Sequence, residues 1–166
     1  MKTFLLDTRL CMQDLLLKPS FDSFLFIEGD IITFNKFHID GRLHKEYFRQ
    51  SAVQDFDAPG REHSLWKEVR GFFLSLIRGR RTPLSFHIIL SLSAPNIEKL
   101  LLQDALPFTL KDVQGLYLNL RYNGTELTCT TGTSMHLFTM DKSLEHSWDE
   151  LAQKFFIRHN LLNQVL

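Results

Sequence analysis

The clearest structural signal in the chain is the stretch GLYLNLRYNGTELTCTT, residues 115–131. Apolar and polar residues alternate on both sides of Asn123-Gly124, a dipeptide that favours a two-residue type I′ turn. Because such a turn fixes which residues of the two strands are paired, the pattern predicts a β-hairpin with Leu120 opposite Leu127 on an apolar face.

The second face of this predicted hairpin is polar and is the best-localised candidate binding surface. Its strand positions are held by Tyr117, Asn119, Arg121, Thr128 and Thr130. Arg121 is expected opposite Glu126, which predicts a cross-strand ion pair. Since antiparallel sheets can leave one face uncovered, these side chains are candidates for the floor of a polar ligand site.

Further strands are predicted on the N-terminal side of this hairpin. Residues 24–34 are aromatic and β-branched around Gly29-Asp30, which predicts a second hairpin. A third strand at about residues 37–40 is expected to turn at Asp40-Gly41-Arg42 and to return through residues 43–48, completing a β-meander. Alternating apolar residues predict a strand at 86–92, and another is expected after Gly132, at about residues 134–140.

Apolar residues at spacings of three and four predict helices between these strands. The first covers residues 8–17 and ends before Pro19. A second follows Ser64, which we expect to cap it, and ends near Gly79. A short helix opens at Pro95, and a final helix begins near Ser143. The predicted apolar stripe of this final helix consists of Leu144, Trp148, Leu151 and Phe155.

This order of elements predicts an α+β fold with a largely antiparallel sheet of about six to seven strands. Three to four helices are expected, mostly on one face of the sheet. No repeat or linker divides the 166 residues, so we expect a single globular domain over residues 1–166.

Charge and composition exclude several classes of protein. Nineteen Lys and Arg residues balance nineteen Asp and Glu residues, which disfavours nucleic acid as a partner. No apolar stretch reaches the length of a signal peptide or of a membrane span, so we expect a cytoplasmic protein without a membrane partner. Cys11 and Cys129 form no CxxC pair and are expected to be small buried hydrophobic residues.

Several blocks of sequence together resemble a known family. They are ITFNKFHIDGRLHKE at 32–46, RTPLSF at 81–86, LTCTTGTS at 127–134 and DKSL at 141–144. On these blocks the chain resembles a family of short, uncharacterised proteins (a domain of unknown function) from Gram-positive anaerobic bacteria. The resemblance covers nearly the whole chain and implies one domain. It implies no catalytic or binding residue, because the family has no assigned activity.

The basic cluster Arg78, Arg80 and Arg81 is a candidate anion site, with Arg80 and Arg81 as the binding residues. Forked guanidinium groups bind phosphate or carboxylate in two-pronged geometry. The competing interpretation is a helix C-terminus whose cations complement the helix dipole.

Two groups of residues resemble metal ligands in type but not in arrangement. His38 and Asp40 share a strand face, whereas a two-residue turn would direct His44 to the other face; a three-residue loop would bring the two histidines together. A second group lies ahead of the main helix and comprises Asp55, Asp57, Glu62 and His63. Its spacing matches no calcium loop. We therefore predict no metal and no cofactor.

The sequence leaves the function open. Ser64 and Lys67 match the S-x-x-K pattern of some acyl-transfer enzymes, but the S-D-N and K-T-G elements that accompany it are absent. The favoured interpretation is a cytoplasmic, non-enzymatic interaction or small-ligand-binding protein that forms a homodimer through an open sheet face or edge. The alternative is a small hydrolase or transferase acting on a phosphorylated or carboxylated metabolite, with Arg80, Arg81 or Arg121 binding the anion.

Overall fold

A computed structural model describes residues 1–49, 60–77 and 81–166. Its strands are β1 (Thr3–Leu6), β2 (Leu25–Ile32), β3 (Lys36–Asp40), β4 (Ser85–Ser91), β5 (Val113–Tyr122), β6 (Leu127–Met135) and β7 (Leu162–Val165). Its helices are α1 (Thr8–Leu17), α2 (Lys45–Arg49), α3 (Trp66–Ile77), α4 (Ala94–Gln103) and α5 (Ser143–Arg158), with short 3₁₀ turns at Pro19–Phe21 and Leu110–Asp112.

The seven strands form one antiparallel sheet in the order β3-β2-β4-β5-β6-β1-β7. This confirms the predicted α+β class with an antiparallel sheet. Within the described ranges, no helix is long and apolar enough to cross a lipid bilayer.

The core lies between one face of the sheet and the helices. Strand residues on this face are buried, among them Phe4, Ile31, Ile88, Leu118, Leu120 and Cys129. The helices contribute large side chains, including Trp66 and Phe73 from α3 and Trp148 from α5. The indole Nε1 of Trp148 donates to the backbone oxygen of Tyr117 at 3.1 Å, which fixes α5 against β5.

The predicted hairpin at Gly29-Asp30 is wrong, because β2 continues through this dipeptide as one strand. Gly29 faces the helices, where a Cβ atom would lie 2.7 Å from Cζ of Phe73. The glycine therefore allows α3 to approach the sheet closely instead of making a turn. The chain reverses after residue 32, and β3 pairs with β2 from Lys36 onward.

The predicted strand over residues 43–48 is also wrong, because Lys45–Arg49 forms α2. The segment after β3 is held by a different partner: the N–H of Leu43 donates to the backbone oxygen of Glu62 at 2.8 Å. Ser64, the predicted cap of the next helix, acts through its backbone, with its N–H donating to the oxygen of Gly41 at 2.9 Å. The carboxylate of Glu68 instead accepts from the N–H of Leu65, at 2.7 Å, at the start of α3.

The hairpin of β5 and β6 forms where it is predicted, but its turn and its register differ from the prediction. Its four-residue loop, 123–126, is closed by the Asn123 side chain, which accepts the N–H groups of Thr125 at 2.9 Å and Glu126 at 2.8 Å. Gly124 alone in this loop has positive φ, at +97°. A type I′ turn requires positive φ at both central residues and is therefore not formed.

The longer loop shifts the pairing by two residues. Leu120 lies opposite Cys129 and Arg121 opposite Thr128, so the predicted Arg121–Glu126 ion pair is wrong. An even shift keeps each side chain on its predicted face, because successive residues of a strand alternate between faces. The division into an apolar and a polar face therefore survives the error in register.

Two strands, β1 and β7, are not predicted from the sequence. Each is four residues long, too short for alternation to be recognised. Phe4 of β1 lies opposite Cys129 on one side and Val165 on the other, so its partners are more than a hundred residues away in the chain. The separate strand predicted at 134–140 does not form, because β6 itself runs through Gly132 and ends at Met135.

Candidate functional site

The face of the sheet opposite the helices carries the predicted polar surface, and we call it the open face. The structure brings together on it all five candidate residues: Tyr117, Asn119, Arg121, Thr128 and Thr130. Much of this surface is bonded within the sheet. Asn119 Nδ2 donates to the backbone oxygen of Thr130 at 3.2 Å, and the hydroxyls of Thr130 and Thr3 lie 3.0 Å apart.

A row of polar side chains crosses five strands of the open face at one level. His38, Asp30, His87, Arg121 and Thr128 are direct register partners from β3 to β6. Nδ1 of His38 lies 2.6 Å from Oδ1 of Asp30. The side chain of Arg121 is exposed and makes no hydrogen bond or ion pair with another described residue, so its charge is available to a ligand.

His87 occupies the centre of this row. Burial lowers its pKa, and the neighbouring charge of Arg121 lowers it further, while Asp30 and Glu28 oppose the shift. Its Nε2 atom is buried and without a hydrogen-bond partner in the described structure. On the same face, burial raises the pKa of Tyr117. Both side chains are thus favoured in their neutral forms.

The open face offers little enclosure. Beside His87 and Arg121 it has a shallow groove of about 310 Å³, with Lys36 and Asn123 at its sides. An anion placed there would remain largely in contact with water, where an ion pair contributes little. The groove therefore has polar groups for contact but not the concave shape of a typical small-molecule site.

The other predicted candidates are not assembled into a site among the described residues. Arg81 is exposed, and Arg78 and Arg80 lie outside the described ranges. His38 contacts Asp30 instead of Asp40, and Nδ1 of His44 lies 3.3 Å from the carboxylate of Glu46. In the described ranges no three His, Cys, Asp or Glu side chains are grouped as metal ligands would be. Asp55 and Asp57 lie outside these ranges.

A more enclosed site lies on the opposite, helical side of the sheet. It is a cavity of about 450 Å³ between α4, α5 and the 3₁₀ turn Pro19–Phe21. Leu118 of β5 forms part of its base, and Leu100 of α4 and Leu151 of α5 form parts of its walls. We call this space the helical-layer cavity.

The floor of the helical-layer cavity is aromatic. The ring of Phe24 lies 5.5 Å from that of Phe155 in edge-to-face geometry, and both pack on buried Phe21. The buried Trp148 side chain completes the floor. Rings held edge to face have restricted positions, so the floor presents an apolar surface of defined shape.

The rim of the helical-layer cavity is polar and basic. It carries Lys99 from α4 and Arg158 and His159 from the end of α5, and none of the described residues that line the cavity is acidic. Lys99 and Arg158 are exposed and make no ion pair with any described side chain. The ring of His159 lies 4.6 Å from that of Phe155, and its Nδ1 lies 3.9 Å from the Asp14 carboxylate.

A buried carboxylate supports the rim from behind. Asp14 is 4% exposed and accepts a hydrogen bond from the Ser20 hydroxyl at 2.8 Å, while Lys18 Nζ lies 3.2 Å from it. Ser20 lines the cavity, so its hydrogen bond to Asp14 holds the Ser20 side chain in place. Because the hydroxyl donates to the carboxylate and not to an imidazole, Ser20 lacks the arrangement of an activated serine nucleophile.

Sequence reasoning missed the helical-layer cavity as a site but identified part of its wall. The apolar stripe predicted for the last helix includes Trp148, Leu151 and Phe155, which line the cavity. The missing information is tertiary, since nothing in the sequence shows that α4 lies beside α5. The sequence did contain one signal of the site: a cation lies beside the apolar stripe of each helix, Lys99 in α4 and Arg158 in α5.

Comparison with known proteins gives a family but no activity. No curated protein and no solved structure matches the chain. A family model matches residues 14–163, which cover both the helical-layer cavity and the open face. This match confirms the predicted resemblance to a family without an assigned activity. The chain therefore belongs to a family of unknown function, DUF5721.

Proposed function

We propose that the protein binds a small molecule in the helical-layer cavity. The observation that carries this proposal is the cavity itself, about 450 Å³ with an apolar floor and a polar rim. Small-molecule sites are commonly concave, about 300–1,000 Å³ in volume, and mostly apolar with a few polar groups that orient the ligand. The helical-layer cavity has each of these properties, whereas the open face lacks the concavity.

The proposed activity is binding without catalysis. The nearest arrangement to a nucleophile in the cavity is Ser20 with Asp14 and His159, in which the serine hydroxyl already donates to the carboxylate. Burial raises the pKa values of both cysteine thiols, Cys11 and Cys129, which disfavours the reactive thiolate. These observations support a binding protein over the alternative of a hydrolase or transferase acting on an anionic metabolite.

A fragment screen tests the proposal. We would record ¹⁵N–¹H spectra of the labelled protein with a library of about two hundred chemically diverse fragments at about 1 mM, a concentration that detects binding near −4 kcal/mol. Fragments that bind should shift the Trp148 indole N–H resonance and the amides of Ser23, Leu100 and His159. Shifts confined to the open face, or no shifts at all, would overturn the proposal.

A matched pair of variants shows whether binding occurs in the cavity. Ser23 is exposed at the cavity wall, so Ser23→Phe places a ring in the cavity. Ser75→Phe adds the same bulk at an exposed position of α3, outside the cavity. Fragments found in the screen should bind the Ser75→Phe protein as they bind the parent and should lose binding to the Ser23→Phe protein. Equal binding to both variants contradicts the assignment to this cavity.

We also propose that the protein resides in the cytoplasm of a bacterium. Cys11 and Cys129 are both buried and both free in the described structure, which is the state expected in a reducing compartment. The Gram-positive anaerobic source is carried by the sequence resemblance alone.

A homodimer is a second candidate property, and one edge of the sheet favours it. β7 is the outermost strand beside β1 and consists of Leu162, Asn163, Gln164 and Val165, none of which is charged. The opposite edge strand, β3, carries Lys36 and Asp40. Charges on an edge oppose pairing with another chain, whereas an uncharged edge permits it. We therefore place the proposed dimer contact at β7.

A further inference from the structure

We infer that the ligand of the helical-layer cavity is an amphipathic organic anion: a carboxylate or phosphate monoester head joined to an apolar body. The inference rests on the proposed binding function and names the class of ligand. It follows from two features of the cavity, the sign of the charge at its rim and the composition of its floor.

The rim selects for negative charge. Lys99 and Arg158 come from different helices and both line the cavity. Neither cation is neutralised by a described side chain, in contrast to His159, whose Nδ1 faces Asp14. Two unneutralised cations at a partly enclosed mouth attract an anionic head group and disfavour a cationic one, because the rim side chains include no carboxylate to receive it.

The floor selects for an apolar body. Phe24, Trp148 and Phe155 present ring surfaces, and Leu100 and Leu118 add aliphatic surface. Burial of apolar ligand area there contributes favourably in proportion to area. An inorganic ion would contact the rim without packing against this apolar floor, so the arrangement favours an anion that carries a hydrocarbon group.

The helix dipole accounts for at most one of the two rim cations. Arg158 lies in the last turn of α5, where a cation complements the dipole. The carbonyls of Phe156 and Ile157 near the end of α5 are, however, already bonded by the N–H groups of Leu161 and Asn160, and Asn160 has φ of +57°. Lys99 lies in the middle of α4, where the dipole has no such preference. A shared anionic ligand accounts for both positions.

Four probes with the same apolar tail and head groups of different charge test the class of ligand. We would measure Kd by isothermal titration calorimetry, and by the fluorescence of Trp148, for decanoate, decyl phosphate, decanol and decyltrimethylammonium below their aggregation limits. Trp148 is one of two tryptophans and lines the floor, so its emission should shift on binding. We expect both anions to bind about twofold to tenfold tighter than decanol, since a contact with one exposed cation contributes little and two act together here. The cation should bind weakest.

Variants that lack the two rim cations test whether these cations cause the preference for anions. Lys99→Gln/Arg158→Gln should weaken decanoate and decyl phosphate binding about twofold to tenfold and leave decanol binding unchanged. The control Arg42→Gln/Lys154→Gln removes two exposed cations that do not line the cavity and should leave all Kd values as in the parent. The relative affinities of decanoate and decyl phosphate show which head group the rim prefers.

The outcomes separate the inference from the proposed function. If decanol or the cation binds the cavity as tightly as the anions, the anionic class is wrong and the binding function stands. If the control variant loses as much affinity as the rim variant, overall charge and not the rim is responsible, and the inference is again wrong. If neither the four tailed probes nor the fragments bind, the proposed function itself fails.

Discussion

Protonation of His87, on the open face, is coupled to the stability of the folded protein. This residue lies on β4 between Asp30 and Arg121, and burial is the main cause of its lowered pKa. In the unfolded chain its pKa returns to about 6.5. Between that value and the lower folded pKa, the unfolded state binds more protons than the folded state. The free energy of unfolding therefore falls as the pH decreases through this window.

Replacement of His87 should remove this part of the pH dependence. We expect urea unfolding curves of His87→Gln to show a smaller loss of stability between pH 7.5 and pH 5 than those of the parent. The control is His146→Gln, at an exposed histidine of α5, which should retain the parental dependence. Arg121→Gln tests the second cause, since loss of its charge should raise the pKa of His87 in an NMR titration. An identical pH dependence in the parent and His87→Gln would refute the assignment.

At the scale of single residues, the sequence predicted which face of the sheet a side chain lies on. It did not predict which residue of the neighbouring strand lies opposite. Alternation places Arg121 on the polar face whatever the register, which explains why that prediction holds. The partner of Arg121 depends on the length of the loop at residues 123–126, which the Asn123 side chain sets by accepting two backbone N–H groups. The same limit applies to Lys99 and Arg158, since their shared opening depends on how two helices pack.

At the scale of elements, the contact between α3 and β2 depends on a glycine in the strand. The Phe73 ring occupies the space above Gly29 and packs against Phe26 at 5.3 Å and Trp66 at 5.2 Å. All three rings are fully buried, so none can move aside freely. A methyl group at position 29 should therefore push α3 away from the sheet.

Two glycine-to-alanine substitutions, one in β2 at this contact and one on the exposed side of α3, should have opposite effects. We expect Gly29→Ala to lower the free energy of unfolding by about 1–3 kcal/mol, the usual cost of overpacking a core. Gly71→Ala, in α3 with nothing within 4 Å of its added Cβ, should raise the free energy of unfolding by about 0.5–1 kcal/mol through helix propensity. Chemical denaturation of both variants measures the two changes. A stabilising Gly29→Ala would show that the Phe73 ring yields without cost.

Helices were more predictable than strands for a physical reason. α1 and the start of α5 match the sequence pattern, because the apolar spacing that defines a helix is local. Thr3–Leu6 and Leu162–Val165 are strands only because they pair with each other and with β6. The helical-layer cavity is harder to predict than any single element, because it lies between helices and depends on how they pack together.

At the scale of the whole molecule, the uncharged β7 edge bears on assembly. The N–H of Leu166 donates to the backbone oxygen of Thr3 at 2.8 Å. Since N–H groups alternate in direction along a strand, that of Val165 is directed away from β1, to the side on which a second copy would pair. Antiparallel pairing of β7 with its copy would continue the sheet across a two-fold axis. A strand of four residues supplies few bonds, so we expect a weak dimer that depends on concentration.

Light scattering after size exclusion tests this assembly. The parent should change from the monomer mass of 19.4 kDa toward twice that value as its concentration rises. Val165→Pro removes an N–H that only the second copy would use, so it should keep the protein monomeric while its circular dichroism and Tm stay close to those of the parent. Val165→Ala retains the N–H and should still dimerise.

A mass of 19.4 kDa at every concentration up to about 1 mM, where a contact of roughly −4 kcal/mol would be half formed, excludes the dimer. Dimers of Val165→Pro would instead place the contact elsewhere, with the open face as the next surface to test.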